Sequence, residues 1–323
     1  MILSLLQGWV GAHSALEPAG PQAGRIHALW QFMWVVSALV FLAVVGALLY
    51  AALHRRAAGQ SAVNPDGVRS ATRWVSIATG VSIAILIAFL GVNFVTARPL
   101  TSAPGDALQI SVTGYQWWWS VQYPSATPSD QVTTANEIHV PVGRPVVMTL
   151  SSRDVIHSFW PANLVGKRDL IPGNKSSIWF QADTPGVYRG QCAEFCGHQH
   201  AKMGFLVVAD PPAQFEAWLR EQRDSAPPPP PGSATRGQEV FLAASCVMCH
   251  TIRGTPAGSR VGPDLTHLAS RRTLAAATLE NTRANLAAWI SDPQRIKPGT
   301  LMPPADLTPA DLAALLDYLE TLR

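Results

Sequence analysis

The segment RGQCAEFCGHQHAKMGF, residues 189–205, places five side chains able to bind metal within twelve positions: Cys192, Cys196, His198, His200 and Met203. Three chemistries compete for it. A C-x-x-x-C disulfide would leave His200 and Met203 without a role. Zinc takes thiolate and imidazole but has little use for a thioether. Thiolate, imidazole and a weak axial Met form the ligand set of copper electron-transfer sites. A single such copper takes one Cys. Two thiolates in one loop therefore imply two coppers bridged by both sulfurs, each with a terminal His.

His200 supplies one imidazole, so the other must come from elsewhere in the chain. Of nine histidines, His13, His27 and His54 lie near apolar stretches, and His250 and His267 lie in the C-terminal third. His157, in RDVIHSFW (153–160), sits in a polar turn at a strand end, which suits a ligand. His139 alternates with Ile138 and Val140 and reads as packed or solvent-facing. His198 reads as non-ligating. The surrounding region, 106–208, carries apolar runs (ALQISVTGYQWWWSVQY, EIHVPVGRPVVMTLSS, SSIWFQAD, GVYRGQC, GFLVVAD) between Gly, Pro and Asn breaks. That spacing predicts an all-β Greek-key sandwich or barrel. A short amphipathic helix over 211–223 would close it.

Toward the N-terminus the chain is apolar. Only 14% of the 323 residues are charged and the net charge is +3, against ~25% charged in soluble proteins. No basic run with interleaved aromatics is present, which excludes a nucleic-acid partner. Residues 28–53 and 74–97 hold no charge, and each exceeds the ~20 residues that cross a bilayer. The loop between them carries Arg55, Arg56, Arg69 and Arg73 against Asp66, so the positive-inside rule puts it in the cytoplasm and both termini outside. Met1–Val10 is apolar but lacks a basic start and reads poorly as a signal peptide; cleavage near Ala12–Ala15 stays open.

Five prolines at 227–231 mark a semi-rigid linker. Beyond it the chain reads as helical and Ala/Leu-rich. Thr308 is placed to cap a last helix, with Pro309 in its first turn, and Leu312, Leu315, Leu316 and Leu319 form its buried face. Cys246-Val-Met-Cys249-His250 is the attachment signature of c-type haem, with His250 as axial ligand. A redox C-x-x-C would want a βαβ setting, and these surroundings are helical. Met302, in KPGTLMPP (297–304), supplies a distal ligand, whereas Met248 lies inside the attachment turn. A backbone carbonyl of Gly262–Leu265 would orient the His250 ring.

The joint pattern C-A-E-F-C-G-x-x-H-x-x-M (192–203), with DVIHS (154–158), GYQWWW (114–119) and KRDLIPG (167–173), resembles the subunit II family of cytochrome c oxidases. The fused C-x-x-C-H domain resembles the caa3-type subgroup. The resemblance implies a multidomain membrane protein: an outer N-terminal segment (1–26), a two-helix transmembrane hairpin (27–98), a cupredoxin-like domain (99–222), the linker (223–234) and an all-α class I cytochrome c domain (235–323). It implies that Cys192 and Cys196 bridge the two coppers of a CuA centre. His157 and Met203 would complete one copper, and His200 with the Glu194 carbonyl the other. The Glu194 side chain would help hold a magnesium ion. Trp117 matches the family's electron-entry tryptophan. The chain would then relay electrons from a cytochrome c-type donor, through haem c and CuA, to catalytic subunit I beside subunit III. Oxygen is reduced to water and protons are pumped there, at a bacterial inner membrane, with the soluble domains on the periplasmic face. No oxygen-reducing centre is expected in this chain. Ala71 stands where many members carry a glutamate, so no proton-uptake residue is assigned. Two other readings share part of this kit: a tethered copper-delivery protein, against which the haem motif counts, and the electron-entry subunit of a nitric or nitrous oxide reductase.

Overall fold

The computed structural model describes residues 13–54 and 65–323. Arg55 and Arg56, on which the topology expectation leans, and the segment Met1–Val10 lie outside the described residues. The chain divides into two compact units, one of residues 24–102 and one of residues 1–23 with 103–323.

The first unit is a helical pair, α1 (Pro21–Leu53) and α2 (Pro65–Ala97), of 33 residues each. At 1.5 Å per residue each runs roughly 50 Å, beyond the ~30 Å of a bilayer core. Leu39, Phe41 and Leu42 on α1 and Leu86, Leu90 and Phe94 on α2 are exposed. Helices apolar on every side and not buried in protein need lipid around them. Phe32 and Phe89 meet edge to face at 5.6 Å between the two.

The second unit begins with residues 13–23, which are tied to the sandwich described next. Asn163 Nδ2 donates to the Glu17 carbonyl at 2.9 Å, and the Ala19 amide donates to the Asn163 carbonyl at 2.7 Å. The sandwich holds ten strands: β1 (Leu108–Tyr115), β2 (Trp118–Tyr123), β3 (Val132–Ala135), β4 (Glu137–Pro141), β5 (Val146–Ser152), β6 (His157–Trp160), β7 (Arg168–Leu170), β8 (Ser176–Phe180), β9 (Gly186–Cys192) and β10 (Gly204–Asp210). One sheet has the order β3-β2-β1-β5-β8 and the other β4-β10-β9-β6-β7. Alternating side chains fill the space between them: Ile110 and Val112 from β1, Met148 and Leu150 from β5. Phe205 stacks on Phe159 at 4.5 Å and meets Trp119 edge-on at 5.3 Å, an aromatic knot under the site. Helix α3 (Pro212–Glu221) buries Phe215 against this core, where the amphipathic pattern put a helix.

The strand order positions the functional loop. β9 ends at Cys192 and β10 starts at Gly204, so the intervening residues form one loop at one end of the sandwich. β6 pairs with β9, Phe159 opposite Cys192, which brings His157 beside that loop. His157 thus opens a strand after the 153–155 turn; it does not close the one before.

The C-terminal domain is built on α4 (Ser233–Ala243), the small hairpin β11 (Thr273–Leu274) and β12 (Leu279–Glu280), α5 (Arg283–Ser291), α6 (Pro293–Ile296) and α7 (Pro309–Leu319). α7 is capped as its sequence predicts: Thr308 Oγ1 accepts from the Asp311 amide at 3.1 Å, and Leu315, Leu316 and Leu319 are buried. α4 crosses α7 at Gly237, where a Cβ would strike the Ala314 carbonyl. The proline run leaves a segment fastened to this domain, since the Ala226 amide donates to the Arg253 carbonyl at 2.9 Å.

Candidate functional site

The loop between β9 and β10 gathers sulfur. Cys192 Sγ and Cys196 Sγ are 3.7 Å apart, and Cys196 Sγ lies 3.7 Å from Met203 Sδ and 3.6 Å from His200 Nδ1. Cys192 Sγ lies 3.2 Å from the Glu194 carbonyl oxygen and 3.9 Å from His157 Nδ1. All six donor groups named from the sequence therefore converge, with His157, Cys192, Cys196 and Met203 buried. His198 is exposed. His139 is packed: it stacks on Trp218 and is clamped between Asp210 at 2.6 Å and Glu137 at 3.1 Å.

Electrostatics favour a thiolate here. The hydrogen bond from Cys196 draws the Cys192 thiol down to about 4, against the opposing effect of burial. The same contact, with burial, pushes the Cys196 thiol up. Burial pulls the His157 pKa down, but its hydrogen bonds to Cys192 and Asp154 outweigh that and raise it. Asp154 Oδ1 takes His157 Nε2 at 2.7 Å, leaving Nδ1 aimed at the sulfurs. A carboxylate behind a ligating imidazole is the usual device for fixing ring orientation and basicity. Asp154 Oδ2 also accepts from the Gln116 amide at 2.6 Å. Two thiols, two imidazoles, a thioether and a carbonyl within this radius fit a binuclear copper centre and suit zinc poorly.

The far side of the loop is held by the turn Gln116–Trp117, which joins β1 to β2. The Cys196 carbonyl accepts from Trp117 Nε1 at 2.9 Å and from Gln116 Nε2 at 2.7 Å. Gly197 follows with φ +111°, and a Cβ there would press on Gln116 Nε2 and the Trp117 ring. That turn is closed to L side chains on two counts.

A cavity of about 510 Å3 adjoins it, lined by Cys246, Cys249, His250, Met302, Trp117 and Arg271 among others. His250 Nδ1 donates to the Pro263 carbonyl at 2.8 Å, as the 262–265 segment predicted, and leaves Nε2 available. Burial lowers the His250 pKa, which keeps the ring neutral for a metal. Gly262 is needed beside it, since a Cβ would come within 2.9 Å of His250 Cε1. Gln294 braces the Met302 loop by donating to the Thr300 and Met302 carbonyls at 2.8 and 3.2 Å. Arg271 lines the cavity with its Nε buried and lacking a hydrogen-bond partner among the described residues. An apolar crevice with a thiol pair, an oriented imidazole, a thioether and an unmet guanidinium donor fits a haem and its carboxylates. Asp154 as orienting group, Gln116, Gln294 and Arg271 were not assigned from sequence. Only the proximity of Asp154 to His157 hinted at one of them.

Comparison with known proteins places the sequence in a family. Residues 108–210 match the family model described as cytochrome C oxidase subunit II, periplasmic domain, and residues 234–323 match cytochrome c. A cytochrome c oxidase subunit 2 from Alkalihalophilus pseudofirmus is 36% identical over 330 residues, covering 98% of this chain and 94% of the relative. One from Bacillus sp. PS3 is 32% identical, covering 68% of this chain and 63% of the relative. Among solved structures, the periplasmic domain of subunit II of cytochrome oxidase from Bradyrhizobium japonicum is 30% identical, covers 38% of this chain and 97% of its own, and has a TM-score of 0.36.

Proposed function

The chain belongs to the cytochrome c oxidase subunit II family, with a cytochrome c domain at its C-terminal end, and from that premise we propose that it is the electron-entry subunit of a caa3-type haem-copper oxidase. It takes electrons from a cytochrome c-type donor at the C-terminal domain and passes them from the sandwich to catalytic subunit I, beside subunit III. Oxygen reduction to water and proton pumping belong to those partners. The observation that carries this reading is that one residue, Trp117, both lines the cavity of Cys246, Cys249, His250 and Met302 and hydrogen-bonds the Cys196 carbonyl.

When bound, a covalent haem c and a binuclear copper centre would supply one-electron exchange with little change in geometry. The chain's residues prepare for that. Cys246 and Cys249 would hold the haem covalently, and His250, fixed by Pro263, and Met302, braced by Gln294, would hold its iron. Cys192 and Cys196, with His157, His200, Met203 and the Glu194 carbonyl, would hold the two coppers. Asp154 and the aromatic knot hold these donors still, which keeps the cost of rearrangement small.

The Glu194 carboxylate, 3.9 Å from Lys167 Nζ and 44% exposed, faces outward from the loop. It would give one ligand to a magnesium ion, a cation that binds through one or two carboxylates and keeps several waters. Val155, Ile156, Ile171 and Phe195 of the same domain are exposed and suit burial against the catalytic subunit. The apolar helices α1 and α2 anchor the chain in a bacterial inner membrane, with both termini and the soluble domains on the periplasmic face. The experiment that tests the reading is purification from the native membrane. It should yield a multispanning haem-copper subunit, oxygen uptake driven by reduced cytochrome c, and two coppers with one covalent haem per chain. A chain that purifies alone, with exchangeable copper and no haem, would contradict it.

A further inference from the structure

Lys297 begins the loop that carries Met302, and its side chain is only 2% exposed. A lysine is almost never fully buried unless it is paired. No carboxylate lies within ion-pair distance of this one among the described residues. Its Nζ donates instead to two carbonyls on different domains: Trp117 in the sandwich at 2.9 Å, and Ala275 in the β11–β12 hairpin at 3.2 Å. Burial, and then the nearby Lys202 ammonium, push its pKa down to about 7, with Cys196 opposing. An apolar side chain would avoid that desolvation cost, so the ammonium is explained by the two carbonyls it joins.

The hairpin it grips is unusual in the same direction. Ala275, Ala276 and Ala277 have φ of 53°, 59° and 54°, a left-handed run that residues with a Cβ rarely adopt. That conformation turns three carbonyls toward donors at the domain boundary. Ala275 receives Lys297, Ala276 receives the Gly204 amide at 3.1 Å, and Ala277 receives Arg189 Nη1 at 3.0 Å. On the other side of Lys297, Gln199 Nε2 donates to the Pro298 carbonyl at 2.6 Å and Lys202 Nζ donates to the Ile296 carbonyl. The copper loop is thus bracketed by the Met302 loop and the hairpin, and Lys297 joins the two brackets to the turn that holds Trp117.

We propose that Lys297 is a positioning residue for electron transfer between the two cofactor sites, its buried ammonium registering the C-terminal domain over Trp117 by joining the Trp117 and Ala275 carbonyls. The linker alone would give the domain a high local concentration; Lys297 gives it one docked geometry. The proposal rests on the electron-transfer reading above.

The test uses the intact oxidase complex with haem and copper in place. Lys297→Met should leave the haem c absorption and the near-infrared copper band as in the wild type. After rapid photoreduction of haem c, transfer to copper should slow by about tenfold or more, the scale on which small misplacements of reacting partners cost rate. Hydrogen exchange at the Gly204 amide should quicken. A role confined to folding the C-terminal domain would lower its melting temperature without changing transfer in the haem-loaded molecules. Unchanged transfer with unchanged Gly204 exchange would overturn the proposal. Should the variant fail to take up haem, acylation of the wild-type complex decides. Lys297 should react far more slowly than Lys167, which is 54% exposed, and equal rates would overturn the latch. Absence of the copper and haem bands from the wild type would instead defeat the functional reading, whatever the labelling shows.

Discussion

The indole N–H of Trp117 donates to the carbonyl oxygen of Cys196 at 2.9 Å, while its ring forms part of the wall of the Cys246–Met302 cavity. The β1–β2 turn therefore touches both candidate redox sites. Trp119, two residues on, points into the core and is fully buried. On the proposed function, Trp117 would serve the relay as well as packing, and Trp119 packing alone.

That separation predicts different losses. Trp117→Phe keeps an aromatic ring but removes the hydrogen bond, and Gln116 still holds the Cys196 carbonyl. The copper band should persist while transfer from haem c slows. Trp119→Ala should instead destabilise the sandwich by roughly 3–5 kcal/mol, the range for a buried aromatic truncated in a core. Transient absorption and denaturant unfolding on the same preparations distinguish them; a Trp117→Phe enzyme with wild-type transfer contradicts the assignment.

Replacing Met203 by Leu, or Cys196 by Ser, removes a sulfur from the cluster. Either change is expected to abolish the near-infrared copper band with haem c still attached at Cys246 and Cys249. Oxidase activity that survived loss of the band would mean that electrons do not pass through this loop.

Asp154→Asn keeps the shape but not the charge behind His157. Loss of such a partner typically weakens metal affinity about tenfold to a hundredfold. Competition with a copper chelator should show that weakening; affinity equal to the wild type would assign Asp154 to the turn alone.

His139 gives a pH signature outside the metal site. Burial pulls its pKa down, but the hydrogen bonds to Asp210 and Glu137 win and raise it above the ordinary 6.5. The imidazolium therefore stabilises the fold fully below that unfolded value, and the contribution fades as pH rises through the folded pKa. The stability difference between wild type and His139→Gln should shrink as pH rises above the ordinary imidazole value of 6.5. A difference that stays constant with pH would remove His139 from the charge balance.

At the α4–α7 crossing, Gly237→Ala sets two effects against each other. Alanine improves helix propensity by about 1 kcal/mol, but its Cβ meets the Ala314 carbonyl and, at 2.7 Å, the Tyr318 Cβ. Overpacking of that kind costs about 1–3 kcal/mol, so the net is destabilising. A raised melting temperature would show that the helices can separate without cost.

Much of this was legible because the chemistry is local. The copper loop declares itself in twelve residues, the haem site in five, and the cap of α7 in Thr308 and Asp311. The spacing of apolar runs located the long strands. It gave no signal for β3, β6 and β7, which are three or four residues long and take their pairing from neighbours. Long-range partners left no sequence trace either. Lys297 and Trp117 are 180 residues apart, and nothing in KPGTLMPP marks its lysine as buried. The left-handed alanines were equally hidden, because alanine signals helix and only the carbonyl acceptors at the domain boundary account for the turn. The proline run suggested a spacer, whereas the contacts across the boundary join the two domains it connects.

The central claim is that the C-terminal domain feeds the copper loop, and the most direct measurement follows both bands in one experiment. In the intact complex, haem c is reduced by a light pulse and the near-infrared copper absorption is recorded with the haem c signal. The relay predicts that copper bleaches in step with haem c reoxidation, before electrons appear in the catalytic subunit. Reoxidation of haem c with no change in the copper band would contradict it.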